Sequence, residues 1–268
     1  MKHTQLPISR EVSFWAHRHI LWQTTLNDIK IRFAGSVLGK SWLLLYPVLM
    51  LGAYSLVYIY VFKIRFALFN SNEYVLFIFC GLIPFLGFSE AFGLGVSSVT
   101  GNSSLIRNTL FPIELIPAKA VLVSQCTQAA GMVLLLIALA LFGKLTWWAL
   151  LIVPIWFAQI MFMLGVIWVL SSLNVYFRDI QTMVPIIIML LMMVSPIAYT
   201  PEMVPEGLRQ FLRINPLYYF IVSYQEVLML GRFPEHGSFW IVCIMGIAGF
   251  ELGRRFFSTL KKVFADNV

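Results

Sequence analysis

The sequence predicts an all-α integral membrane protein. Residues 41–62, 120–143 and 145–177 contain no Asp, Glu, Lys or Arg. Each run meets or exceeds the roughly 20 apolar residues that a helix needs to cross a ~30 Å hydrocarbon layer. Hydrophobic residues make up 60% of the chain and charged residues 12%, whereas soluble domains have about 25% charged residues. We therefore predict one helical bundle in a membrane and exclude a separate soluble domain.

Residues 1–40 are predicted to form a polar tail and an interfacial helix. The tail carries charge before any apolar run, so no cleavable signal peptide is predicted. If residues 14–34 form a helix, five apolar side chains lie along one face of it: Trp15, Trp22, Leu26, Ile29 and Phe33. His17, Thr24, Asp28 and Arg32 would lie opposite. Such a helix lies in the headgroup layer; the alternative is a helix packed on its own bundle.

Residues 41–268 are predicted to form a transmembrane domain of six helices. The apolar segments are residues 41–62, 74–96, 120–143, 147–175, 181–200 and 238–257. With six crossings, thirteen of the 19 Lys and Arg residues face one side, and positive residues mark the cytoplasmic side. Both termini are therefore predicted to be cytoplasmic. Residues 202–231 are predicted to be an outer re-entrant region, because a seventh crossing would export the positive C-terminal residues.

The sequence contains no strong candidate for a nucleotide or metal site. Residues 35–41 are similar to a phosphate loop, but only three residues separate the two glycines, and an apolar segment follows instead of a soluble helix. We interpret this stretch as an elbow between the interfacial helix and the first span. The three cysteines all lie in apolar segments and predict neither disulfides nor a metal site. No cofactor is expected in this chain, and no nucleic-acid partner.

Four stretches resemble one transporter family, in the right order along the chain. They are residues 28–33 with 36–39, Trp42 and Pro47; residues 111–117; residues 174–180; and residues 215–217 with Tyr224 and Glu226. Together they resemble the permease subunits of ABC-2 transporters that export O-antigen, capsule or teichoic acid polysaccharides. The family's plan of an interfacial helix, six spans and short outer helices before the last span agrees with the charge count.

The resemblance implies a permease that is not an enzyme. Two copies would form one channel in the bacterial inner membrane, and each would rest on a separate subunit that binds ATP and Mg²⁺. The expected cargo is a lipid-linked polysaccharide, with O-antigen as the first choice. An ABC-2 permease for another lipid or a drug, an ion-coupled secondary transporter and a membrane-embedded sugar transferase remain as alternatives. The positive C-terminal run is predicted to anchor on anionic membrane lipid.

Three groups of polar residues are candidate functional residues. The cytoplasmic loop 97–119 is expected, by resemblance, to contain a coupling helix, and Arg107, Asn108 and Glu114 are the predicted ATPase contacts. Arg178 and Asp179 are predicted to be an anchor or a hinge at the cytoplasmic end of the fourth span. Glu90 lies within the second span, where an acid is either functional or satisfied by neighbouring polar groups.

Aromatic residues are candidates for the transport pathway, because Tyr offers both a flat apolar face and a hydroxyl to a sugar. Tyr54 and Tyr58 are predicted to line the channel. Tyr218, Tyr219 and Tyr224 are predicted to form an outer gate, with core packing as the alternative. Gly249 and Gly253 have the spacing of close-packed membrane helices, but Glu251 between them argues against their use in a dimer interface.

Overall fold

The computed structural model describes residues 14–61, 70–102, 112–200 and 203–267. Within these ranges the chain forms ten α-helices and no β-strand. The helices are α1 Phe14–Arg32, α2 Trp42–Ser55, α3 Ser71–Gly95, α4 Ser98–Gly101, α5 Leu115–Leu141, α6 Ile152–Tyr176, α7 Asp179–Val194, α8 Glu206–Ile214, α9 Pro216–Gln225 and α10 Ser238–Asn267. A wider π-helical turn continues α2 over Leu56–Val61, and another continues α9 over Glu226–Leu230.

Within the described residues, three helical stretches are long and apolar enough to cross a membrane by length and composition. They are Asn72–Gly95, Leu115–Leu141 and Trp147–Tyr176, and α7 is a shorter apolar helix. Large apolar side chains are also exposed along the bundle, for example Val153 at 71% and Met193 at 70%. A soluble monomer rarely exposes so much apolar surface. These surfaces are suited to contact with lipid or with another subunit.

Several helix boundaries differ from the predicted spans. α5 begins at Leu115, five residues before the predicted span, because the charge of Lys119 is accommodated by an ion pair with Asp28 at 2.8 Å. α7 ends at Val194 rather than at residue 200. The residue before a proline disfavours the helical conformation, and Ser195, which precedes Pro196, has ψ 138°. α10 continues to Asn267, well beyond the predicted end at residue 257.

Helices α6 and α10 pack against each other through glycines. A Cβ atom added to Gly165 would lie 2.0 Å from the carbonyl oxygen of Gly249, and one added to Gly253 would lie 2.2 Å from the carbonyl oxygen of Gly165. The two backbones are therefore in direct contact, as small residues allow in membrane helices. The glycine pair singled out in the sequence thus joins two helices of the same chain.

The main hydrophobic core lies between α3, α5, α6 and α9. Phe220 of α9 packs against Phe88 of α3 and Phe162 of α6, with ring centroids 5.3 and 5.4 Å apart. Phe88 and Phe220 are almost completely buried. The region predicted to be re-entrant therefore contains two helices, α8 and α9, and the second of them is packed into the bundle.

The bundle has two ends that differ in their polar contacts. We call one the α1 end: it carries α1, α4, the start of α5, residues 176–179 and residues 254–261. We call the other the opposite end: it carries residues 70–73, 143–147 and 226–238. There Lys144 pairs with Glu73 at 2.7 Å, which fixes the end of α5 against the start of α3.

Candidate functional site

Helix α1 is attached to the bundle by its polar side. Asp28 pairs with Lys119 of α5, and Arg32 pairs with Glu90 of α3. The hydroxyl of Thr127 also donates a hydrogen bond to Glu90, at 3.2 Å. Glu90 is thus satisfied by a cation and a hydroxyl from two other helices. Any further function for this acid stays a prediction.

Part of the apolar side of α1 faces away from the bundle. Leu21 and Thr25 are buried against the bundle, whereas Trp22 and Leu26 are 54% and 37% exposed. The side chain of Trp15 lies outside the described residues. The structure therefore combines the two alternatives drawn from the sequence: α1 packs on its own bundle and still presents an apolar stripe outward.

Two cavities flank Arg32 at the α1 end. One of about 480 Å³ lies between α1, α4 and α5 and is lined in part by Asp28, Ser98 and Lys119. The other, of about 290 Å³, is lined in part by Phe33 and Thr127. Positive groups beside hydroxyls can hold an anionic or polar group, such as a lipid headgroup.

The loop that precedes α5 is tied to the last helix. The carboxylate of Glu114 forms an ion pair with Lys261, and the Glu114 carbonyl accepts a hydrogen bond from the Trp168 indole at 3.1 Å. Both side chains of the ion pair are only 16% exposed. Glu114 is therefore engaged within the chain, and its contact with an ATPase stays a prediction. Arg107 and Asn108 lie outside the described residues.

A buried asparagine holds the junction where Arg178 and Asp179 are located. These two side chains are exposed, whereas Asn174 is completely buried. Its amide donates to the Thr100 hydroxyl at 3.3 Å, and its carbonyl accepts from the Gln181 backbone at 3.2 Å. Asn174 therefore joins α4, α6 and α7. It belongs to residues 174–180, which carry part of the family resemblance, but the charged Arg178 and Asp179 were predicted as the functional residues there.

A network of buried amides crosses the middle of the bundle. Gln128 of α5 and Gln159 of α6 exchange two hydrogen bonds of 3.0 and 2.9 Å. The hydroxyl of Tyr224 donates to the Gln159 oxygen at 2.7 Å. A Cβ atom on Gly87 would lie 1.9 Å from the Gln128 side-chain oxygen, so glycine is required for this approach. Gln128 and Gln159 are uncharged, so the pattern of charges in the apolar segments did not predict this network.

The predicted pathway tyrosines have different environments. Tyr54 is half-buried and packs against the main core, while the Tyr58 side chain lies outside the described residues. Tyr218 and Tyr219 contact each other edge to face, with ring centroids 5.2 Å apart. Both line a cavity at the opposite end, but Tyr224 lies in the buried amide network instead. The structure therefore brings together two of the three predicted gate residues.

The cavity that contains Tyr218 and Tyr219 has a volume of about 220 Å³. We call it the outer cavity. An ion-pair network forms one of its walls. Guanidinium nitrogens of Arg232 lie 2.8 Å from a carboxylate oxygen of Glu226 and 2.8 Å from one of Glu235. The Glu226 carboxylate also accepts a hydrogen bond of 3.1 Å from the backbone N–H of Glu235. These contacts fold the turn between α9 and α10 into a fixed structure.

Known proteins are similar to this chain over nearly its whole length. The chain is 30% identical to the O-antigen export system permease protein RfbA of Klebsiella pneumoniae, covering 90% of this chain and 92% of that protein. It is 25% identical to the protein of the same description from Myxococcus xanthus, covering 95% and 97% of the two chains. It is 24% identical to the polysialic acid transport protein KpsM of Escherichia coli, covering 87% and 90%.

The family comparison agrees with these relatives. The sequence model of the ABC-2 type transporter family matches residues 20–229, from within α1 to the π-helical turn after α9. This match includes most of α1 and the helices that follow it as far as α9, but not α10. It covers far more than half of the chain, and the resemblance found in the four short stretches is thereby confirmed. The chain belongs to the ABC-2 type transporter family.

Proposed function

We propose that this chain is the membrane-spanning subunit of an ATP-driven exporter that moves a lipid-linked polysaccharide, with O-antigen as the first choice of cargo, from the cytoplasm to the periplasm. The observation that carries the proposal is its 30% identity to an O-antigen export system permease over 90% of the chain. Two further relatives of the same description and a polysialic acid transport protein also handle polysaccharides, by their names.

The proposed energy source is a separate ATP-binding subunit that carries ATP and Mg²⁺. A conformational push requires a surface that the ATPase contacts differently in its two states. Loop 97–119 is our candidate for that surface, with Arg107, Asn108 and Glu114 as contacts. Glu114 would pass the movement to α10, because its carboxylate forms an ion pair with Lys261 of that helix. This ion pair supports the proposed coupling path.

The proposed topology has six spans in the bacterial inner membrane, with both termini and the α1 end in the cytoplasm. Residues 202–231 would form the outer region, and two copies of the chain would enclose the channel with two copies of the ATPase attached. The positive-residue count supports this orientation. The pairing of Glu90 with Arg32 gives no support to an ion-coupled mechanism, which would need an acid able to bind and release an ion.

The proposal can be tested in a strain that lacks this gene. Restoring the wild-type chain should return polysaccharide to the cell surface, and its absence should leave lipid-linked polysaccharide in the cytoplasmic leaflet. The purified chain should bind its ATPase subunit and raise ATP turnover, and it should not hydrolyse ATP alone. Normal surface polysaccharide without the chain, or ATP hydrolysis by the chain alone, would contradict the proposal.

The topology needs its own measurement. Single cysteines placed at exposed positions of the two ends, in a background without the three native cysteines, can be labelled with a membrane-impermeant maleimide. Cysteines in the turn between α9 and α10 should react in intact cells, and those near the C-terminus should react only after the membrane is opened. The reverse pattern would overturn the proposed orientation.

A further inference from the structure

We propose that the outer cavity is a binding site for one acidic sugar residue, held by its carboxylate or phosphate group. This inference rests on the proposed function, because it places a polysaccharide at the opposite end of the bundle. The cavity is built by α8, α9 and the turn before α10, and its lining includes Arg209, Arg213, Tyr218, Tyr219 and Arg232.

The charges of the outer cavity favour an anion. Three guanidinium groups line it together with two carboxylates, Glu226 and Glu235. Both carboxylates are already bound to one guanidinium, that of Arg232. Arg213 forms no ion pair with an acid in the part of the chain that the structure describes. The guanidinium of Arg213 is therefore available to a carboxylate or phosphate in the cavity, and a guanidinium can hold either group with two parallel hydrogen bonds.

The tyrosines and the size of the cavity indicate a sugar. Tyr218 and Tyr219 both line the cavity, and a tyrosine ring offers a flat apolar surface to the C–H groups of a sugar. The volume of about 220 Å³ is below the roughly 300–1,000 Å³ of sites for larger organic ligands. One sugar residue fits this space, whereas several residues of a polysaccharide chain do not.

The geometry of α8 separates this site from the lipid-facing surface. Leu208, Phe211 and Ile214 are exposed at 55%, 63% and 75%. Arg209 and Arg213 are one helical turn apart and lie on the other side of the helix, toward the cavity. The acyl chains of the membrane would contact this apolar side, so the two guanidinium groups lie on the side of α8 that faces away from them. The arrangement therefore favours a ligand that arrives from within the bundle or from the periplasm.

The test uses the full chain purified in detergent, with glucuronate as the acidic probe and glucose as the neutral one. Binding is followed by saturation-transfer-difference NMR during titration. Glucuronate should bind at least about tenfold more tightly than glucose. Arg213→Glu should weaken glucuronate binding by about tenfold or more, which is the effect expected when a charge-assisted hydrogen bond is lost. Arg213→Lys should retain part of the affinity.

Gln210→Ala is the matched control, because Gln210 is an exposed residue of the same helix that does not line the cavity. It should leave binding unchanged, and thermal unfolding should show that all three variants remain folded. Equal binding of glucuronate and glucose, or unchanged binding in Arg213→Glu, would overturn the inference.

Competition by phospholipids, added in mixed micelles with the detergent, tests whether the cavity binds a lipid headgroup instead. Displacement of glucuronate by phosphatidylglycerol but not by phosphatidylcholine would show that the cavity takes a lipid headgroup and would also overturn the inference.

The binding test can fail independently of the test of the proposed function. If export and ATPase stimulation are normal but glucuronate does not bind, only this inference fails. If the chain does not support export, the proposed function fails whatever the binding result.

Discussion

The contact between α6 and α10 leads to a stringent stability prediction. In Gly253→Ala, the new methyl carbon would lie 2.2 Å from the carbonyl oxygen of Gly165 and 2.4 Å from its Cα atom. These neighbours are backbone atoms, so no side chain can rotate away, and the two helices must separate. Overpacking of this kind costs about 1–3 kcal/mol.

The expected result is a lower midpoint of thermal unfolding. About 1 kcal/mol corresponds to roughly 2–4 °C in a protein of about this size, so a cost of about 1–3 kcal/mol should make Gly253→Ala melt about 2–12 °C below the wild type. The measurement is the loss of the monodisperse peak in size-exclusion chromatography after heating in detergent. Gly93→Ala is the control, because Gly93 is an exposed residue of α3 and a Cβ atom there meets nothing within 4 Å.

One result would refute the reasoning. If Gly253→Ala melts with the wild type, the close contact between α6 and α10 does not exist as described. If instead the variant keeps its melting temperature but loses a dimeric species, the glycine pair joins two copies of the chain rather than two helices of one chain. Gly93→Ala should not lower the melting temperature or change the oligomer. It can raise the melting temperature slightly, since alanine is more favourable than glycine at an exposed helix position by about 1 kcal/mol.

Three further substitutions test the polar contacts. Tyr224→Phe removes the 2.7 Å hydrogen bond to Gln159 and should cost about 1 kcal/mol, seen as a lower melting temperature. Asn174→Ala removes contacts to two neighbouring segments and should cost about 2 kcal/mol and reduce surface polysaccharide in the complementation assay. Glu90→Ala removes the acid that pairs with Arg32 and should weaken the attachment of α1 by up to about 1 kcal/mol, so trypsin should cut within α1 faster.

Each of the three has a control elsewhere in the chain. Tyr219→Phe keeps the ring and should leave the melting temperature unchanged if the Tyr224 hydroxyl is the stabilising group. Asn72→Ala tests an exposed amide and should leave export intact. Glu206→Ala removes an exposed acid at the opposite end and should not alter cleavage in α1. Equal effects in a variant and its control would contradict the role assigned to the buried group.

Apolar runs predicted the long helices well because burial in lipid requires uninterrupted apolar sequence. They predicted boundaries less well wherever a charge is neutralised by a distant partner. Lys119 appeared to mark the start of a span, yet its pairing with Asp28 lets α5 begin earlier. No local pattern reveals which acid a given lysine will meet. The end of α7 before Pro196 was predictable from the proline, but the apolar run continued past it and received more weight.

The candidate site was predictable in kind but not in its connections. Tyr218 and Tyr219 share a cavity, whereas Tyr224, in the same segment, points into the core. Helix rotation decides this difference, and it depends on packing against α3 that a single sequence does not contain. The outer gate predicted from the three tyrosines stays a prediction. Gln128 and Gln159 are visible in the sequence as amides within apolar runs, but their pairing depends on the contact between two helices.

The ion pair between Glu114 and Lys261 restricts how the protein can move. The segment around Glu114 is also bonded to Trp168 in the middle of the chain. Any force applied there must displace helices α6 and α10 together, or else break both links first. Because α6 and α10 are themselves in backbone contact, we expect the two helices to move together. A displacement at the α1 end would then be carried along both helices to the opposite end, and the other helices would have to deform instead.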